Sequence, residues 1–179
     1  MLFGDLKGFS KLTDAQMPRF LHSIMGALAD VIETHRSGLE FVNTWGDSVF
    51  LVFQHAKSAA DCALALQAAM RNVDFKSMGL PESMGLRLGG HFGPVYATVD
   101  PLLKRPNFFG AHVIRAARIE PVTPEGCTYI TEPFAAALAL FNSGEFSIGY
   151  VGTTEAAKHY GSMPMFLLGF PRSRFSLES

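Results

Sequence analysis

Residues 41–45 (FVNTW) and 49–53 (VFLVF) are β-branched and aromatic runs separated only by Gly46-Asp47-Ser48. So short a connection predicts a hairpin and leaves no room for the crossover that a parallel pair would need. A helical stretch precedes it: Phe20, Leu21, Ile24, Leu28, Val31 and Ile32 recur at helical spacing, Thr13 with Gln16 reads as a capping box, and Ser37-Gly38 stops the run. A second helix follows, striped by Ala59, Ala60, Ala63, Leu64, Gln67 and Met70, small enough to approach a sheet closely. Further strands are predicted over 84–91, 95–99, 127–131, 146–151 and 163–170, with helices over 111–120 and 133–141. Between Asp100-Pro101 and Phe108-Phe109 the chain reads as a polar arm. Hairpins interrupt the alternation of strand and helix. The expected class is therefore α+β, a sandwich of a mostly antiparallel sheet with helices on one face, rather than a doubly wound parallel sheet.

With no linker or low-complexity tract, the 179 residues read as one domain, 1–179. A chain of that length buries about 70% of the surface its unfolded form exposes and needs no disulfide staples. Cys62 and Cys127 have no CxxC spacing and read as buried thiols in a reducing compartment. The net charge of -1 gives no basic footprint for nucleic acid. No apolar run approaches the roughly 20 residues that cross a bilayer, so no membrane association and a cytoplasmic location are expected. The histidines show no HExxH or paired ligand spacing, and no GxSxG elbow or Walker A loop occurs.

Two carboxylates stand out. In MLFGDLKGFS, Asp5 reads as following a short strand and preceding a turn, which leaves the backbone N–H groups of Lys7 to Ser10 to face an anion. Asp47 falls at the hairpin tip. If the hairpin pairs beside the first strand, both carboxylates converge at one end of the sheet. A hard dication, Mg²⁺ or Mn²⁺, binds such a pair when phosphate oxygens and water complete its shell, and a triphosphate suits the arrangement. The ordinary alternative is a carboxylate favoured at a helix start and a routine turn Asp; spacing alone leaves both open.

The stretches LFGDLKGFSKL, FVNTWGDSVFLVF, LRLGGHFGPVYA and NFFGAHVIRAARIEP occur in the order and approximate separation of the motifs of class III nucleotide cyclase catalytic domains, which this chain resembles over nearly its whole length. The resemblance implies a ferredoxin-like sandwich acting as a head-to-tail homodimer, with active sites between subunits. It implies that Asp5 and Asp47 hold two metal ions (Mn²⁺ or Mg²⁺), with the Leu6 backbone carbonyl as a further ligand. The substrate is then a nucleoside triphosphate, whose 3′-oxygen attacks the α-phosphorus while pyrophosphate leaves. Arg118 matches the Arg that faces the phosphates, and Phe9, Trp45, Arg115 and Lys158 join it as candidate substrate contacts. Residues 102–105 resemble the family's dimer arm.

The departures are specific. Purine cyclases read their base with a Lys/Asp pair for adenine or Glu/Cys for guanine; at those positions stand Asn43 and Asn107. An Asn offers one donor and one acceptor face, which suits a uracil or cytosine edge. Trp45 and Phe50 add bulk that would shrink the base pocket, or else pack in the core. Ile114 stands where the family carries an Asn that steadies the transition state, and Lys158 is offset by two residues from Tyr160, the position matching the phosphate-binding Lys. Among class III cyclases the combination is most similar to the bacterial pyrimidine cyclases of the Pycsar antiphage systems, which make cyclic UMP or CMP for a separate effector. An adenylate or guanylate cyclase with altered base readers, or an inactive cyclase-like dimerisation module, is the alternative.

Overall fold

The computed structural model describes residues 1–141 and 143–171. Strand β1 (Leu2–Lys7) runs through a turn of 3₁₀ helix (Phe9–Lys11) into a helical segment made of α1 (Met17–Arg19), a π-helical turn (Phe20–Met25) and α2 (Gly26–Thr34). The predicted hairpin is β2 (Leu39–Trp45) and β3 (Ser48–Phe53), followed by α3 (Ala56–Arg71) and β4 (Gly85–Gly90). The arm is a separate two-stranded ribbon, β5 (Tyr96–Val99) and β6 (Pro106–Phe109), leading into α4 (Ala111–Ile119). Then come β7 (Thr128–Thr131), α5 (Glu132–Ala139), β8 (Ser147–Glu155) and β9 (Ser162–Gly169).

The main sheet has the order β2-β3-β1-β4-β7-β9-β8, and every neighbouring pair is antiparallel except β4 with β7. Its first part, β2-β3-β1-β4 built from a β-α-β-β-α-β chain, is the ferredoxin-like arrangement expected; the remaining strands extend it. Side chains alternate across β1. Leu2 and Leu6 face the main core with Phe20, Ile24, Leu28, Leu64 and Phe134, under α2, α3 and α5. Ala59, Ala60 and Ala63 are essentially inaccessible, so the small-residue stripe brings α3 against the sheet as its spacing predicts.

Phe3 and Asp5 point to the opposite face. There a smaller cluster of Met1, Val52 and Ala116, flanked by Phe3, Phe41, Phe50 and Phe108, lies partly under α4 and the arm. Helices therefore occupy both faces, not one, because α4 arises in the crossover from β4 to β7 and lies over β1 and β4. Among the described residues no helix is long and apolar enough to cross a membrane.

Three local expectations change. Asp5 lies inside β1, opposite Arg87 of β4, not after the strand, so Lys7 is still strand and only the turn beyond it is helical. The capping box is half made: the Gln16 side chain accepts the Thr13 backbone N–H at 2.9 Å and donates across to the Gly79 carbonyl at 2.7 Å, and the helix begins at Met17. Cys62 is buried, its thiol pushed up to about 12 by desolvation, whereas Cys127 is only half-buried; both are free thiols.

Candidate active site

Register brings the two sequence-predicted carboxylates together. β1 pairs with β3 only as far as Gly4 opposite Val49, and β3 begins at Ser48, one residue after Asp47. Ser48 Oγ donates to Asp5 Oδ1 at 3.2 Å. Arg87 donates to Asp5 Oδ2 from Nη2 at 2.8 Å and from Nε at 3.2 Å. Glu120, just past α4, sets Oε1 2.5 Å from Arg87 Nε, an ion-pair contact without hydrogen-bonding alignment. Asp5, Asp47 and Glu120 thus crowd one guanidinium. Burial, then the Asp5 charge, push the Asp47 carboxyl up to about 6, and burial pushes Glu120 up to about 7 against the pull of Arg87. Sequence reasoning missed Arg87 and Glu120; Arg87 is identified only by the strand register that sets it opposite Asp5.

The donor set fits a hard divalent ion. Two half-buried carboxylates side by side, the Asp5 charge raising the proton affinity of Asp47, are an unsatisfied negative site, which a dication relieves. Met1 and His91 exchange both backbone hydrogen bonds at 3.0 Å, so alternate residues of β1 direct their backbone groups to β4 and the others toward β3. Leu6 is of the second kind, beyond the last β1–β3 pair, and its carbonyl is directed to the side where the hairpin tip stands. Among the described residues no three His, Cys, Asp or Glu side chains form a metal cluster. Any ion here would take Asp5, Asp47 and the Leu6 carbonyl, with other ligands from outside the chain.

The two basic candidates on helix α4 have different surroundings. Ile114 and Arg118 are four residues apart and share a face, and Ile114 is 48% exposed. Arg115 instead lines a cavity of about 270 Å³ with His91, Thr131, Glu132 and Tyr160, away from the carboxylate pair, and its Nε is buried without a partner. Lys158 adopts left-handed backbone, φ 58°, in a short turn that packs against α4. That turn also carries Tyr160 to the Arg115 cavity. His91 and His112, which no spacing in the sequence joins, stack at 5.1 Å with Nε2 and Nδ1 2.8 Å apart; desolvation pulls His91 down to about 4.

Of the proposed base readers, Asn43 lies on the same face of the main sheet as Asp5, and Asn107 stands on β6 of the separate ribbon. Asn43 Oδ1 accepts from Arg105 Nη2 at 3.0 Å, and Asn107 Nδ2 donates to Asp100 Oδ2 at 3.1 Å. Of the two bulky rings, Phe50 packs in the second cluster, stacked on Phe3 at 4.3 Å, but Trp45 is 86% exposed. Phe9 sits against Phe20 at 5.0 Å and beneath Gly46, where its ring supports the hairpin tip rather than reaching toward the Asn pair.

The description "Adenylate and Guanylate cyclase catalytic domain" matches residues 1–169. The chain belongs to that family. Two curated relatives of the cyclase domain are adenylate cyclases of Streptomyces griseus, 29% identical over 138 residues, and Streptomyces coelicolor, 30% identical over 139 residues. Each alignment covers 74% of this chain, which spans only about a third of either relative, 31% and 32%. Among solved structures, the guanylate cyclase domain of RhGC from Catenaria anguillulae in complex with GTP superposes with a TM-score of 0.77 at 22% identity, covering 96% of this chain and 95% of that one. The adenylyl cyclase CyaB from P. aeruginosa gives 0.77 at 15% identity over 96% and 93%. These likenesses establish the fold. Neither curated relative lends support to the pyrimidine resemblance drawn from Asn43 and Asn107.

Proposed function

We propose that the cyclase domain converts a nucleoside triphosphate, a purine one in the first place, into its 3′,5′-cyclic nucleotide and pyrophosphate. The observation that carries the reading is the convergence of Asp5 and Asp47 at the end of β1, with Arg87 on the same oxygens. Mn²⁺ or Mg²⁺, two ions per site, would be held by Asp5, Asp47 and the Leu6 carbonyl; when bound they lower the pKa of the 3′-hydroxyl and screen the triphosphate. Arg87, which stands on Asp5 Oδ2, would with those ions in place be available to phosphate oxygens. Arg118 and Lys158 supply cations from α4 and the turn packed on it. The 3′-oxygen forms the new bond to the α-phosphorus, the bridge to the β-phosphorus breaks, and the proton leaves to water.

A homodimer completes the site in this reading. Trp45, Tyr96, Leu102 and Ile114, respectively 86%, 67%, 90% and 48% exposed, leave an apolar surface along the hairpin, arm and α4 for a second copy to cover. Cyclic pyrimidine synthesis, read by a separate effector, is the second reading, favoured by the Asn residues standing where purine cyclases carry Lys/Asp or Glu/Cys.

The deciding experiment incubates the purified protein with ATP, GTP, CTP and UTP in Mn²⁺ and identifies products by mass spectrometry. Cyclic purine is expected, and cyclic pyrimidine alone would promote the second reading. Asp5→Ala and Asp47→Ala should each lower turnover by at least about 10²-fold. Turnover retained in either variant removes the metal assignment, and no product from any nucleotide removes the enzyme reading.

A further inference from the structure

Neither amide at the base-reading positions is free to choose its orientation. Arg105 Nη2 lies 3.0 Å from the Asn43 side chain, and a guanidinium only donates, so the Asn43 oxygen must face Arg105 and its nitrogen must face away. Asn107 is held at both ends: its Nδ2 donates to Asp100 Oδ2 at 3.1 Å while its Oδ1 accepts the Phe108 backbone N–H at 2.8 Å. Asp100 is itself fixed, because its Oδ1 accepts the N–H groups of Leu102 at 2.8 Å and Leu103 at 3.0 Å, bonds that hold its carboxyl below the usual carboxylate range.

Asp100 and Arg105 bracket the tip of the arm, which is closed by Asp100 N–H to the Arg105 carbonyl at 2.9 Å and turned by left-handed Lys104, φ 56°. The ribbon is tied to β2 by the edge contact of Phe108 with Phe41 at 5.4 Å. One small tip thus delivers a cation to one reader and an anion to the other.

We propose that Arg105 and Asp100, outside the reader positions themselves, determine base preference by locking Asn43 as a hydrogen-bond donor and Asn107 with its carbonyl held. The inference rests on the nucleotide cyclase reading. At Asn43 the base meets the N–H groups of the amide and the unspent ones of Arg105, with the remaining oxygen lone pair turned to the guanidinium side, so a base acceptor is favoured there over a base amine or imide N–H. Asn107 keeps one lone pair and one N–H, and its oxygen takes the neighbouring base N–H. Polarity along the base edge is therefore read in one direction only, although neither reader is charged. Arg105 and Asp100 are positioning residues that act through Asn43 and Asn107.

The test measures equilibrium binding of ATP, GTP, CTP and UTP in Ca²⁺, which asks for no turnover, to wild type, Arg105→Lys, Arg105→Gln and Asp100→Asn. Arg105 is exposed, so its variants keep the fold, which an unchanged Tm checks. Arg105→Gln, whose amide accepts as well as donates, should lower the ratio of the weakest to the tightest Kd by about tenfold, while donor-only Arg105→Lys keeps it within about twofold. Asp100→Asn, which turns an N–H toward Asn107, should lower the ratio likewise. An unchanged ratio in Arg105→Gln, or a Lys variant as relaxed as the Gln one, overturns the inference while leaving the cyclase reading in place. Wild type that binds none of the four overturns both.

Discussion

Asp5 and Arg87 are paired across β1 and β4, with Arg87 Nη2 2.8 Å from Asp5 Oδ2, and Glu120 approaches the same guanidinium from the end of α4. One cation among three carboxylates leaves the metal-free site overcharged.

That imbalance sets a pH dependence. Asp47 rises from 3.8 to about 6 and Glu120 from 4.5 to about 7, so between about pH 4 and 7 the folded state holds more protons than the unfolded one. Their contribution to stability falls as pH rises through that window. His91, drawn down from 6.5 to about 4, acts in the opposite sense, losing stability as pH falls, so the carboxylates are isolated by a difference. In EDTA, Asp47→Asn should have a higher Tm than wild type near pH 7.5 and no advantage below about pH 4.5. Mn²⁺ should raise the Tm of wild type, and of this variant far less. Calorimetry across pH, with and without metal, gives both answers; a variant less stable than wild type at neutral pH would remove the carboxylate crowding from the account.

Ile114 stands on α4 one turn before Arg118 and is 48% exposed, so a polar side chain there costs little packing. Ile114→Asn places an amide donor on the strip that carries Arg118. Turnover should rise by about tenfold or more with KM little changed, the pattern of a group that acts on the transition state alone. Steady-state kinetics on the preferred nucleotide decide it; an increase confined to KM would mean that the position contacts the ground state.

Much of this site was legible because strand and hairpin patterning carries register. Asp5 on an alternating β1 and Asp47 in a tight loop between apolar runs could meet only if the hairpin paired beside the first strand, and it does. The partners of those carboxylates were not legible. Arg87 reaches Asp5 across 82 positions of sequence, and Arg105 reaches Asn43 across 62, so no local spacing announces either contact. The same holds for His91 and His112, joined only because β4 and α4 cross. Arg115 and Arg118 stand three residues apart, only about 60° around the helix, and look interchangeable in sequence, yet Arg115 lines the cavity with His91 and Tyr160 and Arg118 does not.

At Gly89 on β4 the end of α4 and the residue after it press close to the sheet. A Cβ there would stand 2.6 Å from the backbone nitrogen of Glu120 and 3.0 Å from its Cα, atoms that cannot swing aside. Gly89→Ala should destabilise the fold by about 1–3 kcal/mol and push Glu120 off Arg87. Denaturant unfolding measures the first effect, and metal titration the second, since freeing Arg87 from Glu120 leaves it wholly to Asp5 and weakens Mn²⁺ binding. A variant as stable as wild type would show that α4 is not seated on β4 as described.

Leu102 at the arm tip is 90% exposed, and Tyr96 of the same ribbon is 67% exposed, a cost in water that a second copy of the chain would remove. Leu102 makes no part of the core, so Leu102→Glu leaves the monomer fold intact while setting a charge in the proposed interface. The variant should dissociate at protein concentrations at least about tenfold higher than wild type in sedimentation velocity. Its specific activity should fall on dilution in step with the dimer fraction, because Asp5 and Asp47 of one protomer would then lack the groups its partner supplies. A monomeric wild type of full specific activity at every dilution would place the whole site within one chain and leave Trp45, Tyr96 and Leu102 to some other surface.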